Sequence, residues 1–350
     1  MRELSTDENA LQRKAKELHG ETFIFDALTT SIIDPDYAER LRRIGVNATN
    51  YTVADTSLVD GDVRQDGFTA ACRKIGRWYR VLEELKDRAG LACSIAEMQQ
   101  VTSQERLAVF FGFQNGTPID DNLDNLRVFH RLGIRFIQLT YNSRNMIGNG
   151  CGERRDEGLS NFGVEAIREM NRLGIAVDLS HCHYATTMDA IEVSERPVLF
   201  THANARALAD TPRNKSDEQI RALAAKGGVM GVKHMLGDTV HKAADQTTLA
   251  DVADHIDHVV NLVGIEHVAI GTDFSGTTAQ KEQSSEAIEA IRRRWPNAYL
   301  GRRVKPRGFE TIDGLPSLTI ELLRRRYSDE DIRKLYGGNW LRVLRTIFDE

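Results

Sequence analysis

Short apolar or β-branched runs recur along this 350-residue chain, and each follows a segment with the apolar spacing of a helix. Runs of this kind predict eight strands, at 23–28, 48–53, 107–114, 136–142, 176–181, 197–204, 229–235 and 268–275. Strands that alternate with helices indicate a parallel sheet, because parallel neighbours need crossover connections. Eight of them favour an α/β fold closed into a (β/α)₈ TIM barrel.

The helix boundaries support this prediction. Gly133, Gly174 and Gly227 follow helical spacing, where a left-handed residue ends a helix before the next strand begins. Ser216 with Gln219 and Ser328 with Asp331 have the spacing of capping boxes at helix starts. An open doubly wound sheet is the competing fold, but no Gly-x-Gly-x-x-Gly motif follows the first strand. We therefore expect one TIM-barrel domain over 1–350, with an N-terminal helix in 1–21 and extra C-terminal helices in about 311–350.

Composition narrows the functional classes. Hydrophobic residues make up 41% and charged residues 28% of the chain, with a net charge of −5, which is typical of a soluble globular protein and does not favour nucleic-acid binding. No apolar run is long enough for a membrane span, and the charged stretch 1–21 does not resemble a signal peptide. The four cysteines lack Cys-x-x-Cys spacing, which indicates free thiols in a reducing compartment. A cytoplasmic enzyme acting on a small molecule is expected.

Polar side chains collect where the predicted strands end. In a TIM barrel the active site lies at the carboxyl ends of the strands. The residues there include Asp26, Gln114, Tyr141, His181, His202, Asn204, His234 and Asp273. Histidines at the ends of two adjacent strands can direct both rings at one metal ion, and a carboxylate can deprotonate the attacking water.

These positions give a specific site hypothesis. We predict that His181 and His202 bind a metal, that Asp273 joins them in catalysis, and that Asp26, His234 or Asp273 completes the metal shell. Arg213, in the loop after the sixth strand, can pair with a substrate carboxylate, although a solvated loop arginine is the alternative. A structural, hydrogen-bonded role is the alternative for His234.

The segments around these residues resemble the membrane (renal) dipeptidases, peptidase family M19 of the amidohydrolase-like superfamily. They read Val-Asp-Leu-Ser-His at 177–181, Thr-His-Ala-Asn at 201–204, Pro-Arg-Asn at 212–214 and Ile-Gly-Thr-Asp-Phe at 270–274. The resemblance implies a barrel with two zinc ions that hydrolyses dipeptides, often as a dimer. It also implies that His181 and His202 bind one zinc, that Arg213 holds the substrate carboxylate, and that Asp273 handles the proton.

The chain departs from this family at the second metal. The family's Asp-Gly-His-x-Asp motif at the end of the first strand reads Asp-Ala-Leu-Thr-Thr at 26–30. The bridging glutamate falls on Gln114, whose amide brings no negative charge to a cation, and a substrate-contacting histidine falls on Tyr141. We therefore expect a degenerate site with one zinc ion or none, and expect Arg213, Tyr141, Asn204 and Gln114 to contact substrate.

Three functions remain open at this stage. The first is a dipeptidase-like hydrolase that acts with one metal on a small peptide or amide bearing a carboxylate. The second is a metal-independent enzyme in which the same side chains serve as acid and base. The third is a non-catalytic ligand-binding protein, because fold alone does not fix function.

Overall fold

The parallel strands form a ring. A computed structural model describes residues 6–54, 67–234, 246–274 and 305–349, with Arg293. The strands are β1 (Ile24–Thr29), β2 (Val46–Ala54), β3 (Ala89–Leu91), β4 (Leu107–Phe113), β5 (Ile134–Gln138), β6 (Ala176–Asp178), β7 (Leu199–Ala203), β8 (Val229–Val232) and β9 (Val268–Ile270). They pair in parallel in the order β1-β2-β4-β5-β6-β7-β8-β9, with β3 added beside β4 outside the ring.

The chain closes the ring just beyond β9. Thr29 forms a parallel bridge with Phe274, and the backbone N–H of Asp273 donates to the Leu28 carbonyl at 3.1 Å. All eight predicted strands and the TIM barrel are confirmed, although six of the strands end earlier than the apolar pattern suggested, and β1 and β2 end one residue later. Positions 235 and 275 of two predicted strands lie outside the described residues. The three-residue β3 was not predicted, because its sequence Ala-Gly-Leu contains no β-branched or aromatic residue.

Helices surround the ring. Within the described residues they are α1 (Thr6–Glu21), α2 (Pro35–Arg43), α3 (Phe68–Glu84), α4 (Ile95–Thr102), α5 (Asp124–Arg131), α6 (Asn161–Leu173), α7 (Tyr184–Val193), α8 (Asp217–Ala225), α9 (Leu249–Val263), α10 (Leu315–Arg324), α11 (Asp329–Arg333) and α12 (Asn339–Phe348). The predicted glycines Gly133, Gly174 and Gly227 all have positive φ. Both predicted capping boxes, at the starts of α8 and α11, are formed. None of these helices is long and apolar enough to cross a bilayer.

The C-terminal helices pack on the barrel, and α12 covers its amino-terminal end. The buried Trp340 donates from Nε1 to the Ile270 carbonyl at 2.9 Å, and its ring lies 6.1 Å from that of Phe25. Phe25 packs inside the ring with Phe110 and Phe136, and all three side chains are buried. This aromatic layer packs the barrel interior on the side of α12, and the polar side chains described below lie at the carboxyl ends of the strands.

Candidate active site

Two imidazoles meet at the carboxyl ends of β6 and β7. His181 follows β6, His202 lies within β7, and their Nε2 atoms are 3.1 Å apart. Both side chains are buried. The ring of Tyr141 stacks on that of His181 with centroids 4.1 Å apart, so it covers one face of the pair. The contact between the two histidines predicted from the sequence is therefore present.

The other nitrogen of each ring has an oxygen partner. Nδ1 of His181 lies 2.8 Å from Oδ1 of Asn142, an amide oxygen that can only accept, so Nδ1 carries the proton. Nδ1 of His202 lies 2.8 Å from the hydroxyl of Thr201, which in turn donates to Oδ2 of Asp178 at 2.6 Å. Each neutral imidazole therefore carries its proton on Nδ1 and turns a bare Nε2 lone pair toward the other ring.

The electrostatic surroundings keep both rings neutral. Burial holds the pKa of His181 well below its ordinary value, and the positive charge of Arg213 is the next largest cause of this lowering. The pKa of His202 is lowered for the same two reasons. Lys233 and Lys215 add further positive charge, and both are buried. Two unprotonated nitrogens at this distance repel each other, and a cation or a donor hydrogen between the rings would relieve that repulsion.

Arg213 is built into the site rather than solvated. Only 1% of its surface is exposed. Its Nη1 donates to the Ser180 carbonyl and its Nη2 to the His202 carbonyl, both at 2.7 Å, while its buried Nε–H has no partner. The alternative of a solvated loop arginine is therefore wrong. The guanidinium joins the two histidine-bearing segments and retains donor capacity.

Asp26 does not face the histidines. Its Oδ1 accepts from the Thr272 backbone N–H at 2.7 Å and its Oδ2 from the Thr272 hydroxyl at 2.6 Å, so it joins β1 to the end of β9. Burial raises its pKa to about 6. His234 is also engaged with Thr272, because its Nδ1 hydrogen-bonds to the Thr272 carbonyl while its ring stacks on Phe274 with centroids 3.4 Å apart.

The predicted three-ligand metal shell is consequently not assembled. Across the described parts of the chain, no group of three or more histidine, cysteine, aspartate or glutamate side chains is arranged to hold a metal ion. Asp26 and His234 bond to Thr272 instead of completing the shell. Asp273 is half-buried with φ at 55°, and its charge contributes to the raised pKa of Asp26. Its catalytic role stays a prediction.

The burial of His234 has a measurable pH consequence. Burial lowers its pKa from 6.5 to about 3, so the unfolded chain takes up a proton near pH 6.5 while the folded chain does not. His234 should therefore reduce the free energy of unfolding by about 1.4 kcal/mol for each pH unit below about 6.5. Urea unfolding of the wild type and of His234→Phe between pH 7 and 5 tests this. The stability of the wild type relative to the variant should fall with pH, and a constant difference would contradict the assignment.

The remaining predicted substrate-contacting residues divide into two groups. Gln114 reaches the histidine pair, with Nε2 3.2 Å from Nε2 of His202, and Tyr141 covers His181. Asn204 is occupied by the backbone of Lys233, since its Oδ1 accepts from that N–H at 3.2 Å and its Nδ2 donates to that carbonyl at 3.3 Å. Its contacts favour a structural role in joining β7 to the end of β8.

Sequence reasoning missed the residues that hold the imidazoles. Asn142, Thr201 and Asp178 fix the two rings, and Lys215 donates to the carbonyls of Leu179 and Cys182 at 2.7 and 2.9 Å, on either side of His181. One signal was available: Asp178 is a charged residue within the predicted apolar strand 176–181, and a buried charged residue needs hydrogen-bond donors. The contacts of Lys215 join distant parts of the chain and leave no local pattern.

The fold is a TIM barrel of the amidohydrolase type, with two buried histidines in contact at the carboxyl ends of its strands. The sequence profile described as "Membrane dipeptidase (Peptidase family M19)" matches residues 15–292 and 296–349. The chain belongs to this family, which confirms the resemblance inferred from its motifs.

Similar proteins carry related descriptions. The chain is 31% identical over 288 residues to "Dipeptidase verJ" of Clonostachys rogersoniana, covering 82% of this chain and 67% of that protein. It is 34% identical over 244 residues to an uncharacterised dipeptidase of Schizosaccharomyces pombe, covering 68% and 52%. It is 30% identical over 324 residues to "Dipeptidase 3" of Rattus norvegicus, covering 86% and 60%. The chain thus spans between about half and two thirds of the length of these relatives.

Solved structures show the same fold. An amidohydrolase from Pseudomonas aeruginosa is 33% identical, with a TM-score of 0.85 and coverage of 96% of this chain and 99% of that one. A metallopeptidase from Rhodobacter sphaeroides, solved with a phosphinate mimic of L-Ala-D-Ala, has a TM-score of 0.74 at 20% identity, covering 93% and 100%. The latter supports the fold alone.

Proposed function

We propose that this protein is a dipeptidase-like hydrolase that acts on a small peptide or amide bearing a carboxylate, with one metal ion at the histidine pair. The observation that carries this proposal is the pair of Nε2 atoms 3.1 Å apart, each unprotonated because the proton of its ring is held at Nδ1. Membership of the M19 family supports the reaction class.

The residues present fit one ion better than two. In a tetrahedral zinc site with bonds of 2.0–2.1 Å, neighbouring ligand atoms lie about 3.3 Å apart, close to the separation of the two Nε2 atoms. The fit to a second ion is poor, because Gln114 supplies an uncharged amide and Leu28 is an apolar side chain. Bound at His181 and His202, the metal would polarise the scissile carbonyl and make a water molecule more acidic.

The protein's own residues supply binding and proton transfer in this proposal. Arg213, with an unpartnered buried Nε–H, would bind the substrate carboxylate beside the histidines. Tyr141 shields His181 from water. Asp273, half-buried at the end of β9, would accept the proton of the attacking water on its carboxylate and return it to the leaving amine.

Metal content and turnover test the proposal together. Protein purified without chelator should contain about one zinc ion per chain, as measured by inductively coupled plasma mass spectrometry. The same protein should hydrolyse L-Xaa-D-Xaa dipeptides faster than the corresponding dipeptide amides, which lack the C-terminal carboxylate. His202→Gln should lose both metal and turnover. The matched control is His258→Gln, since His258 lies on α9 and pairs with Asp217 at the start of α8 rather than with a residue of the site, and it should keep both.

The alternatives give different results in the same experiment. Turnover of another small molecule without metal would support the metal-independent enzyme, and ligand binding without either would support the non-catalytic protein. Both results would overturn the proposal.

A homodimer and a cytoplasmic location are further parts of the proposal. The four cysteines are thiols rather than disulfides, which fits a reducing compartment.

A further inference from the structure

Asp178 and Thr201 form a relay that ends on the ring of His202. Asp178 lies at the end of β6, is buried, and accepts at Oδ1 from the backbone N–H groups of Ser180 and Thr201, both at 3.0 Å. The Ser180 hydroxyl donates to the same oxygen. The Thr201 hydroxyl donates to Oδ2 at 2.6 Å and lies 2.8 Å from Nδ1 of His202. The Asp178 carboxylate therefore acts as the acceptor in each of these hydrogen bonds.

The direction of these hydrogen bonds determines which ring nitrogen is protonated. A hydroxyl has one proton, so a Thr201 hydroxyl that donates to the carboxylate can only accept from Nδ1 of His202. The proton of the neutral ring is then held on Nδ1, and Nε2 is bare. The contact of Gln114 supports the same tautomer independently. Its Nε2 can only donate and lies 3.2 Å from Nε2 of His202, which must therefore be the acceptor.

We propose that Asp178 is a positioning residue which, through the Thr201 hydroxyl, holds His202 in the Nδ1-protonated tautomer that a cation at the histidine pair requires. This proposal rests on the proposed function in one respect, which is that the unprotonated Nε2 of His202 serves to bind a metal ion. Asp178 touches neither substrate nor metal and acts through the ring of His202.

The chain contains a matched control at another strand pair. Asp26 accepts from the backbone N–H and hydroxyl of Thr272 at 2.7 and 2.6 Å, and from the backbone N–H of Leu28, two residues beyond it, at 3.5 Å. Asp178 has the same three kinds of contact with Thr201 and Ser180. Asp178 differs in that it also accepts from the Ser180 hydroxyl, and in that the Thr201 hydroxyl also contacts a histidine ring. Asp26→Asn therefore changes an equivalent strand connection without the relay.

Replacing Asp178 with asparagine should reverse the relay. An asparagine that keeps its oxygen toward the three Oδ1 donors places its NH₂ toward Thr201, whose hydroxyl is then free to donate to Nδ1 of His202. The ring should change to the Nε2-protonated form. Long-range ¹⁵N–¹H spectra of zinc-free protein, with His202 assigned by its absence in His202→Gln, should show the protonated nitrogen moving from Nδ1 to Nε2. Asp26→Asn should leave the His202 ring signals unchanged.

Zinc titration and a second pair of variants complete the test. Zinc affinity should fall about 10- to 100-fold in Asp178→Asn. If that variant does not fold, Thr201→Val should lose the tautomer preference and Thr201→Ser should retain it. An Nδ1-protonated ring in Asp178→Asn or Thr201→Val would overturn the proposal. Wild-type protein with the expected tautomer but without zinc binding or turnover would refute the proposed function and leave the positioning role intact.

Discussion

Gly271→Ala should destabilise the barrel by more than about 3 kcal/mol, or prevent folding, because the new methyl group would overlap the backbone of another strand. A Cβ at this position would overlap the Thr201 carbonyl oxygen and lie 2.9 Å from the Thr201 carbonyl carbon. Backbone atoms within a closed ring of strands cannot move aside as a flexible side chain can. Urea unfolding followed by circular dichroism measures the effect.

A glycine with open space around it provides the control. Gly76 lies within α3, and beyond the helix's own backbone no heavy atom lies within 4 Å of the position that a Cβ would take. Gly76→Ala should therefore stabilise the protein by about 0.5–1 kcal/mol, since alanine loses less backbone entropy in a helix. A Gly271→Ala variant within about 1 kcal/mol of wild type would show that β7 and β9 are farther apart than described.

Arg213→Met should reduce kcat/KM for a carboxylate-bearing dipeptide by about 100-fold or more, equivalent to about 3 kcal/mol. Methionine retains much of the buried volume but loses the charge and the donors to the Ser180 and His202 carbonyls. The loss of these backbone contacts affects every substrate, whereas the loss of charge affects only substrates with a carboxylate. The ratio of kcat/KM for the free dipeptide and its C-terminal amide therefore isolates the binding role.

Two further variants sharpen this experiment. Arg213→Lys keeps the charge but cannot donate to two carbonyls in the planar geometry of a guanidinium, so it should preserve the preference for a free carboxylate at a reduced rate. Arg206→Met removes an exposed arginine that pairs with Asp210, and it should behave as wild type. An unchanged free-to-amide ratio in Arg213→Met would assign Arg213 a purely structural role.

Much of the fold could be predicted from the sequence because its signals are local. Apolar runs identified the eight strands, and glycines with positive φ, such as Gly133 and Gly174, identified the helix ends. The contact of His181 with His202 followed from the rule that parallel strands present their carboxyl ends at one face. The short β3 gave no signal, because Ala-Gly-Leu contains none of the β-branched or aromatic residues that favour strands.

The finer structure of the site was not accessible in the same way. Asp26 and His234 occupy predicted strand-end positions, but each is bonded to Thr272, more than thirty residues away from either. Whether a strand-end side chain points to the shared centre or to the adjacent strand depends on register, which the sequence pattern does not specify. The burial of Arg213 depends on a loop folding back over the ring, which residue type alone does not reveal.

The position of α12 has a consequence for how small molecules reach the histidine pair. Trp340 and the aromatic layer around Phe25 pack the amino-terminal end of the ring, so the described part of the barrel offers no passage from that side. In the proposed reaction, the substrate would therefore enter, and both products would leave, at the carboxyl ends of the strands.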